Sequence, residues 1–114
     1  MSAITTHVLD TARGCPANGV PVRLELESAD ESWKLIGEGT TDADGRATNL
    51  VRSGSVLHGG VYRLVFDVET YFEAQDIEGF YREVSIVFII RDPAQHYHVP
   101  LLLSPFGYST YRGS

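Results

Sequence analysis

Short runs of alternating apolar and polar residues recur along this chain, and clusters of turn residues separate them. The clearest run covers residues 21–27. Within it, Val22, Leu24 and Leu26 alternate with polar and charged side chains. Alternation of this kind is typical of a β-strand that buries one face. The segment Asp-Ala-Asp-Gly at 42–45 indicates a hairpin, because Asp-Gly accepts the positive φ values of tight turns.

Eight strands and one short helix are predicted from this alternation. The predicted strands cover residues 4–10, 21–27, 33–41, 46–50, 61–68, 83–90, 95–103 and 108–112. Residues 69–76 break the alternation and suit one or two turns of helix. Eight antiparallel strands of this length predict an all-β sandwich of two four-stranded antiparallel sheets with one short helix.

Length and composition limit the kinds of function to consider. A chain of 114 residues fits a single domain, 1–114, too small for a deep internal cavity, so a ligand site is expected in a surface groove or between subunits. The net charge is −6 and the nine basic residues are scattered, which argues against nucleic acid and anionic membranes as partners. No apolar run approaches the roughly twenty residues of a membrane helix. The single cysteine, Cys15, and the absence of a secretory signal favour a cytoplasmic protein.

The predicted seventh strand carries histidines on a face that an ordinary sandwich would give to charged residues. Its core face is Tyr97, Val99, Leu101 and Leu103, and its other face is His96, His98, Pro100 and Leu102. Leucines on both faces of one strand indicate that both faces are covered. A small domain cannot cover its own outer face, so we expect an oligomer. Its interface is predicted to contain His7, Leu9, His98, Leu102 and Tyr111.

Three interpretations fit the histidines at 7, 96 and 98. Zinc accepts three histidines, but this face offers no Cys, Asp or Glu as a further ligand or partner. The imidazoles could instead bond only to backbone or water within an interface. An acid–base or substrate-binding role is favoured, because the pKa of imidazole lies near working pH. Arg46 is either a solvated charge at a strand start or an anion clamp. Ser114 either ends a frayed tail or belongs to an ordered, docked end.

Several segments of the chain, spread over nearly its whole length, match one known family. They are Thr-His-Val-Leu-Asp at 6–10, Gly-Val-Pro-Val at 19–22, Thr-Asp-Ala-Asp-Gly-Arg at 41–46, Tyr-Phe at 71–72, Glu-Val at 83–84, His-Tyr-His-Val-Pro-Leu-Leu-Leu-Ser-Pro at 96–105 and Tyr-Arg-Gly-Ser at 111–114. The last segment is the most specific. With these segments the chain resembles the 5-hydroxyisourate hydrolases, the transthyretin-related enzymes of urate breakdown.

This resemblance implies a transthyretin-like sandwich that assembles as a homotetramer, with active sites in a channel at the dimer–dimer interface. It implies hydrolysis of 5-hydroxyisourate to 2-oxo-4-hydroxy-4-carboxy-5-ureidoimidazoline without a metal or an organic cofactor. The implied catalytic residues are His7, Arg46, His98 and Ser114. The implied substrate-binding residues are His7, Arg46, Tyr111, Arg112 and Gly113. His96 matches a position outside the central trio and is treated as auxiliary.

Two other functions share this fold. Transthyretin itself is a carrier that binds a hormone in the same channel without chemistry, and it lacks the His, Arg, His and Tyr-Arg-Gly-Ser set found here. A structural β-sandwich module is the second alternative, and the expected ordered polar end argues against it.

Overall fold

The computed structural model describes residues 3–52 and 54–114, and within them two β-sheets enclose one apolar core. The strands are β1 (Ile4–Asp10), β2 (Cys15–Pro16), β3 (Pro21–Glu27), β4 (Trp33–Thr40), β5 (Arg46–Ala47), β6 (Gly60–Phe66), β7 (Val84–Ile90), β8 (Tyr97–Ser104) and β9 (Gly107–Thr110). The helix α1 spans Val68–Glu73. The predicted all-β sandwich with one short helix is confirmed.

The two sheets are built from different parts of the chain. The first has the strand order β2-β1-β8-β9, with β5 also paired to β1, and the second has the order β4-β3-β6-β7. The second sheet is antiparallel throughout, as predicted. The first contains five strands instead of four, because two-residue strands pair with β1 on its outer edge.

One strand pair departs from the predicted antiparallel arrangement. Strands β1 and β8 run parallel over seven residue pairs, from Ile4 beside Tyr97 to Asp10 beside Leu103. Parallel neighbours need a long connection, and almost the whole chain lies between these two strands. Their direction therefore depends on the fold as a whole, which strand alternation cannot reveal.

Several strands are shorter than predicted, and two of these differences bear on the site. Strand β5 stops at Ala47, because the chain then turns inward and buries Leu50 in the core. Strand β9 stops at Thr110, although Gly113 still forms an isolated bridge to His98. The end of the chain therefore remains beside β8 after regular pairing has ended.

Burial follows the predicted alternation where it matters for the site. The residues that β8 turns inward are Tyr97, Val99, Leu101 and Leu103, all buried. Strand β1 likewise buries Val8, while His7 and Leu9 are only partly buried on its other face. One face of β1 and of β8 therefore packs in the core, and their opposite face is available for other contacts.

The end of β1 is held by a buried carboxylate. Oδ1 of Asp10 accepts backbone N–H groups of Ala12 at 3.1 Å and Arg13 at 3.0 Å, which turns the chain out of the strand. Oδ2 of Asp10 accepts the hydroxyl of Tyr71, on α1, at 2.7 Å. Because Asp10 is buried, these bonds satisfy a charge that would otherwise be costly, and they attach the helix to the sheet.

Within residues 3–52 and 54–114, no helix combines the length and the apolar character that crossing a bilayer requires.

Candidate active site

The outer face of the first sheet brings two predicted site residues close together. The parallel register puts Thr5 beside His98 and His7 beside Pro100. All four side chains point away from the core, together with those of Leu9 and Leu102; we call this surface the histidine face. His7 and His98 are diagonal neighbours on adjacent strands, a relation that spans about 7–8 Å and lies within reach of long side chains.

Arg46 joins the same face from the other side of β1. It is the direct partner of His7 in the antiparallel pair of β1 and β5, so the two side chains project to the same side. The guanidinium and the imidazole are therefore neighbours, although 39 residues of sequence separate them. The direction of Arg46, which strand alternation left open, is decided by this register.

The hairpin before Arg46 is held by a specific set of hydrogen bonds. Oδ1 of Asp42 accepts the backbone N–H groups of Asp44 at 2.9 Å and Arg46 at 3.0 Å. Gly45 has a φ of +76°, and its carbonyl accepts the N–H of Val8 at 2.7 Å. A Cβ at residue 45 would lie 2.4 Å from the Val8 carbonyl oxygen, so only glycine fits here. The hairpin thereby docks Arg46 against β1.

His98 is held from two sides. Its Nδ1 lies 2.9 Å from the hydroxyl oxygen of Thr5. Its carbonyl accepts the backbone N–H of Gly113 at 2.8 Å. A Cβ at residue 113 would come within 2.6 Å of His98 Cδ2 and 3.2 Å of Pro100 Cγ, so the glycine packs directly against the ring. The chain end is therefore docked beside His98.

Burial and nearby positive charge keep His98 neutral. Partial burial is the main cause that lowers the pKa of His98 below its ordinary value of 6.5. Electrostatic interaction with Arg46, and to a lesser extent with His7 and His96, lowers the pKa further. A neutral imidazole at neutral pH can accept a proton, which is the requirement for a general base.

The remaining predicted site residues of the chain end are Tyr111, Arg112 and Ser114. The Arg112 guanidinium lies 4.6 Å over the ring of Tyr97 and donates to Oε1 of Gln95 at 3.0 Å. Tyr111 and Ser114 are exposed. Tyr111, Arg112 and His98 all border a groove of about 240 Å³ beside β7. The roles of these residues stay predictions.

Thr5 is a polar residue of this face to which the sequence analysis assigned no role. Its hydroxyl also lies 3.2 Å from Nε2 of the exposed His96. Strand alternation does place Thr5 with His7, but a threonine on a strand is common and gives no signal by itself. Its importance follows from a register that the sequence does not contain.

The three histidines do not form a metal cluster. Among the described residues, no group of three or more His, Cys, Asp or Glu side chains is arranged to hold a metal ion together. The expected absence of a metal and of a cofactor remains a prediction.

Several known proteins are similar to this chain in sequence. A 5-hydroxyisourate hydrolase of Mus musculus is 46% identical over 114 residues, which cover 99% of this chain and 96% of the mouse protein. A probable 5-hydroxyisourate hydrolase of Caenorhabditis elegans is 48% identical and covers 99% of this chain and 82% of its own length. A 5-hydroxyisourate hydrolase of Pseudomonas aeruginosa is 42% identical, with 100% and 93% covered.

Solved structures show the same fold. The 5-hydroxyisourate hydrolase of Klebsiella pneumoniae superimposes with a TM-score of 0.83 at 35% identity, covering 97% of this chain and 98% of its own. Sea bream transthyretin in complex with thyroxine superimposes with a TM-score of 0.90 at 34% identity, covering 97% and 94%. The sequence model of the HIUase/Transthyretin family matches residues 4–113. The chain therefore belongs to the HIUase/Transthyretin family.

Proposed function

We propose that this protein hydrolyses 5-hydroxyisourate to 2-oxo-4-hydroxy-4-carboxy-5-ureidoimidazoline, with His7, Arg46 and His98 as its central catalytic residues. The grouping of these three side chains on the histidine face carries the proposal. Relatives that are 42% to 48% identical over nearly the whole chain are named as hydrolases of this substrate.

The proposed reaction begins with water attacking the carbonyl carbon of the ring amide. Neutral His98 takes a proton from the water as the new C–O bond forms. Arg46 donates hydrogen bonds to the substrate oxygens and offsets the negative charge that develops on the carbonyl oxygen. The ring C–N bond then breaks, and the departing nitrogen takes up the proton. Protonated His98 gives this proton to the nitrogen and returns to its neutral form, while His7, the strand partner of Arg46, is proposed to bind the substrate.

The chain end completes the proposed site. Gly113 packs on the His98 ring and allows the terminal residues to approach it. Tyr111, Arg112 and Gly113 are proposed to bind substrate, and Ser114 to take part in catalysis. Within one chain, Arg112 borders the same groove as His98 and Tyr111, with its guanidinium over the Tyr97 ring.

The protein is also proposed to form a homotetramer, a dimer of dimers, that covers the histidine face. Apolar Leu9 and Leu102 are only partly buried in the single chain, which suits a surface that a second subunit covers. Light scattering during gel filtration should then give four times the chain mass of 12.6 kDa. A monomeric mass would contradict the tetramer.

A cytoplasmic location is proposed because the single cysteine, Cys15, suits a reducing compartment.

A spectroscopic assay tests the activity directly. Urate oxidase generates 5-hydroxyisourate in the cuvette, and the ultraviolet decay of this compound is followed with and without the protein. The protein should accelerate the decay, and the His98→Ala variant should not. If the wild-type protein leaves the decay unchanged but binds thyroxine in a calorimeter, the chain is a carrier and the proposed hydrolysis is wrong.

A further inference from the structure

One hydroxyl group joins the two histidines of β8. The Thr5 hydroxyl oxygen lies 2.9 Å from Nδ1 of His98 and 3.2 Å from Nε2 of His96. Thr5 is only 6% exposed, so these two ring nitrogens, rather than bulk water, are the partners of its hydroxyl. Neither contact takes part in the proposed steps of the reaction.

The number of protons on these groups restricts how they can bond. A hydroxyl carries one proton and two acceptor sites, and a neutral imidazole carries a proton on one nitrogen only. When the Thr5 hydroxyl donates to one histidine, the other histidine must therefore donate to it. If Thr5 donates to His98, then Nδ1 of His98 is an acceptor and its proton sits on Nε2. If Thr5 donates to His96, then His98 Nδ1 carries the proton and Nε2 has a free lone pair.

Only the second arrangement leaves His98 able to act as a base. Nδ1 is engaged with Thr5, so Nε2 is the nitrogen that can meet water or substrate. Gly113 packs against the Cδ2 edge of the ring, and the Thr5 hydroxyl lies at its Nδ1 edge. An imidazole whose proton sits on Nε2 cannot accept a second proton at that nitrogen, which faces the reaction. A catalytic histidine held in the wrong tautomer loses most of its activity.

We propose that Thr5 is a positioning residue. Its hydroxyl oxygen accepts a hydrogen bond from Nδ1–H of His98, and its O–H donates a hydrogen bond to Nε2 of His96. This pair of hydrogen bonds keeps Nε2 of His98 unprotonated and able to act as a base. This inference rests on the proposed function of His98, since it names what prepares that residue for the reaction. The hydroxyl takes the place that a carboxylate or a backbone carbonyl occupies behind many functional histidines. A neutral partner stabilises the tautomer and adds no negative charge, so it does not oppose the lowered pKa of His98.

The experiment compares Thr5→Val, Thr5→Ser and a matched control, Thr6→Val. Valine keeps the shape of threonine and removes the hydroxyl, and serine keeps the hydroxyl. Thr6 is the next residue of β1, and its buried hydroxyl donates to the Val99 carbonyl on the core side, so its loss reports a purely structural effect. Long-range ¹H–¹⁵N correlation spectra report the tautomer of His98 without substrate, and steady-state kinetics report kcat and KM.

In Thr5→Val we expect the Nδ1–H tautomer of His98 to lose its majority and kcat to fall by about tenfold or more, with KM little changed. Thr5→Ser should restore both the tautomer and kcat, and Thr6→Val should change neither.

Three results would overturn the proposal: a Thr5→Val variant with wild-type kcat, one with reduced kcat but an unchanged His98 tautomer, or an equal loss of kcat in Thr6→Val. If the wild-type protein fails to hydrolyse 5-hydroxyisourate, the proposed function is wrong, and the tautomer spectra still decide the role of Thr5.

Discussion

Arg46 lies directly opposite His7 across the antiparallel pair of β1 and β5, on the face that also carries His98. A two-residue strand is enough to make this connection, because the Asp42 carboxylate closes the hairpin in front of it. The relation matters for chemistry, because a permanent positive charge on this face helps to lower the pKa of His98 and gives developing negative charge a partner.

Removal of the Arg46 side-chain charge should impair catalysis more than stability. In Arg46→Met we expect kcat to fall about 10²- to 10³-fold, because a preorganised hydrogen-bond donor to the oxyanion is lost. Arg46→Lys should recover only part of this activity, since an ammonium lacks the planar fork. Arg82→Met is the matched control, because the Arg82 side chain is 85% exposed and makes only a surface ion pair with Glu69. Equal losses in both methionine variants would contradict the role of Arg46.

Loss of the proposed base should abolish most of the turnover. His98→Ala should lower kcat by about 10²- to 10⁴-fold, the range over which general base catalysis contributes. The exposed His58 lies in a loop away from the histidine face, so His58→Ala should keep full activity. Both variants are measured in the ultraviolet decay assay, and circular dichroism checks that the fold is intact. An active His98→Ala variant would exclude His98 as the base.

The lowered pKa of His98 should make stability depend on pH. Because the folded-state pKa lies below the ordinary value of 6.5, the unfolded chain takes up this proton first as the pH falls. The contribution of His98 to the free energy of unfolding therefore decreases from pH 6.5 downwards and levels off below the folded-state pKa. Urea unfolding of the wild type and of His98→Asn, measured at pH 7.5 and at lower pH, should show a difference that grows on acidification. A constant difference would contradict the shift.

Arg46 should help to lower the pKa of His98. An NMR titration of the His98 ring in Arg46→Met should give a higher pKa than in the wild type, because the permanent positive charge of the guanidinium is gone. The upward shift is expected even though burial, the largest cause, remains. A pKa that is unchanged in Arg46→Met would mean that the two groups do not interact.

The lack of a side chain at Gly113 should be necessary for the position of the His98 ring. In Gly113→Ala the new Cβ would meet His98 Cδ2 at 2.6 Å, so the ring or the chain end has to move. We expect a marked loss of kcat with the melting temperature nearly unchanged. Gly107→Ala is the control, because a Cβ there would find only an ordinary contact, 3.8 Å from the Ser104 hydroxyl. A fully active Gly113→Ala variant would show that this packing is not needed.

The buried hydrogen bond between Tyr71 and Asp10 should support stability and not catalysis. Tyr71→Phe removes the hydroxyl that Asp10 accepts at 2.7 Å and leaves a buried carboxylate oxygen without that donor. We expect the free energy of unfolding to fall by about 1–3 kcal/mol in urea denaturation, with kcat close to wild type. The exposed Tyr108 provides the matched control, since Tyr108→Phe should change neither quantity.

Much of the fold could be predicted because it depends on local periodicity. The alternation in β3 and β8 identifies strands and their buried faces, and those assignments hold in the structure. The same alternation put His7 and His98 on outward-facing positions. The end of the chain was expected to be ordered, and the bridge of Gly113 to His98 shows that it is docked.

The sequence by itself determined which side chains are available and which face of its own strand each one takes, because the pleat alternates every residue. Only the tertiary structure decided which strands lie side by side. The parallel register of β1 and β8 placed Thr5 beside His98, and the hairpin before β5 placed Arg46 opposite His7. The tertiary structure also placed the Arg112 guanidinium over the Tyr97 ring. These relations join residues far apart in the chain, and long-range pairing is chosen by the packing of the whole core, which no local pattern records.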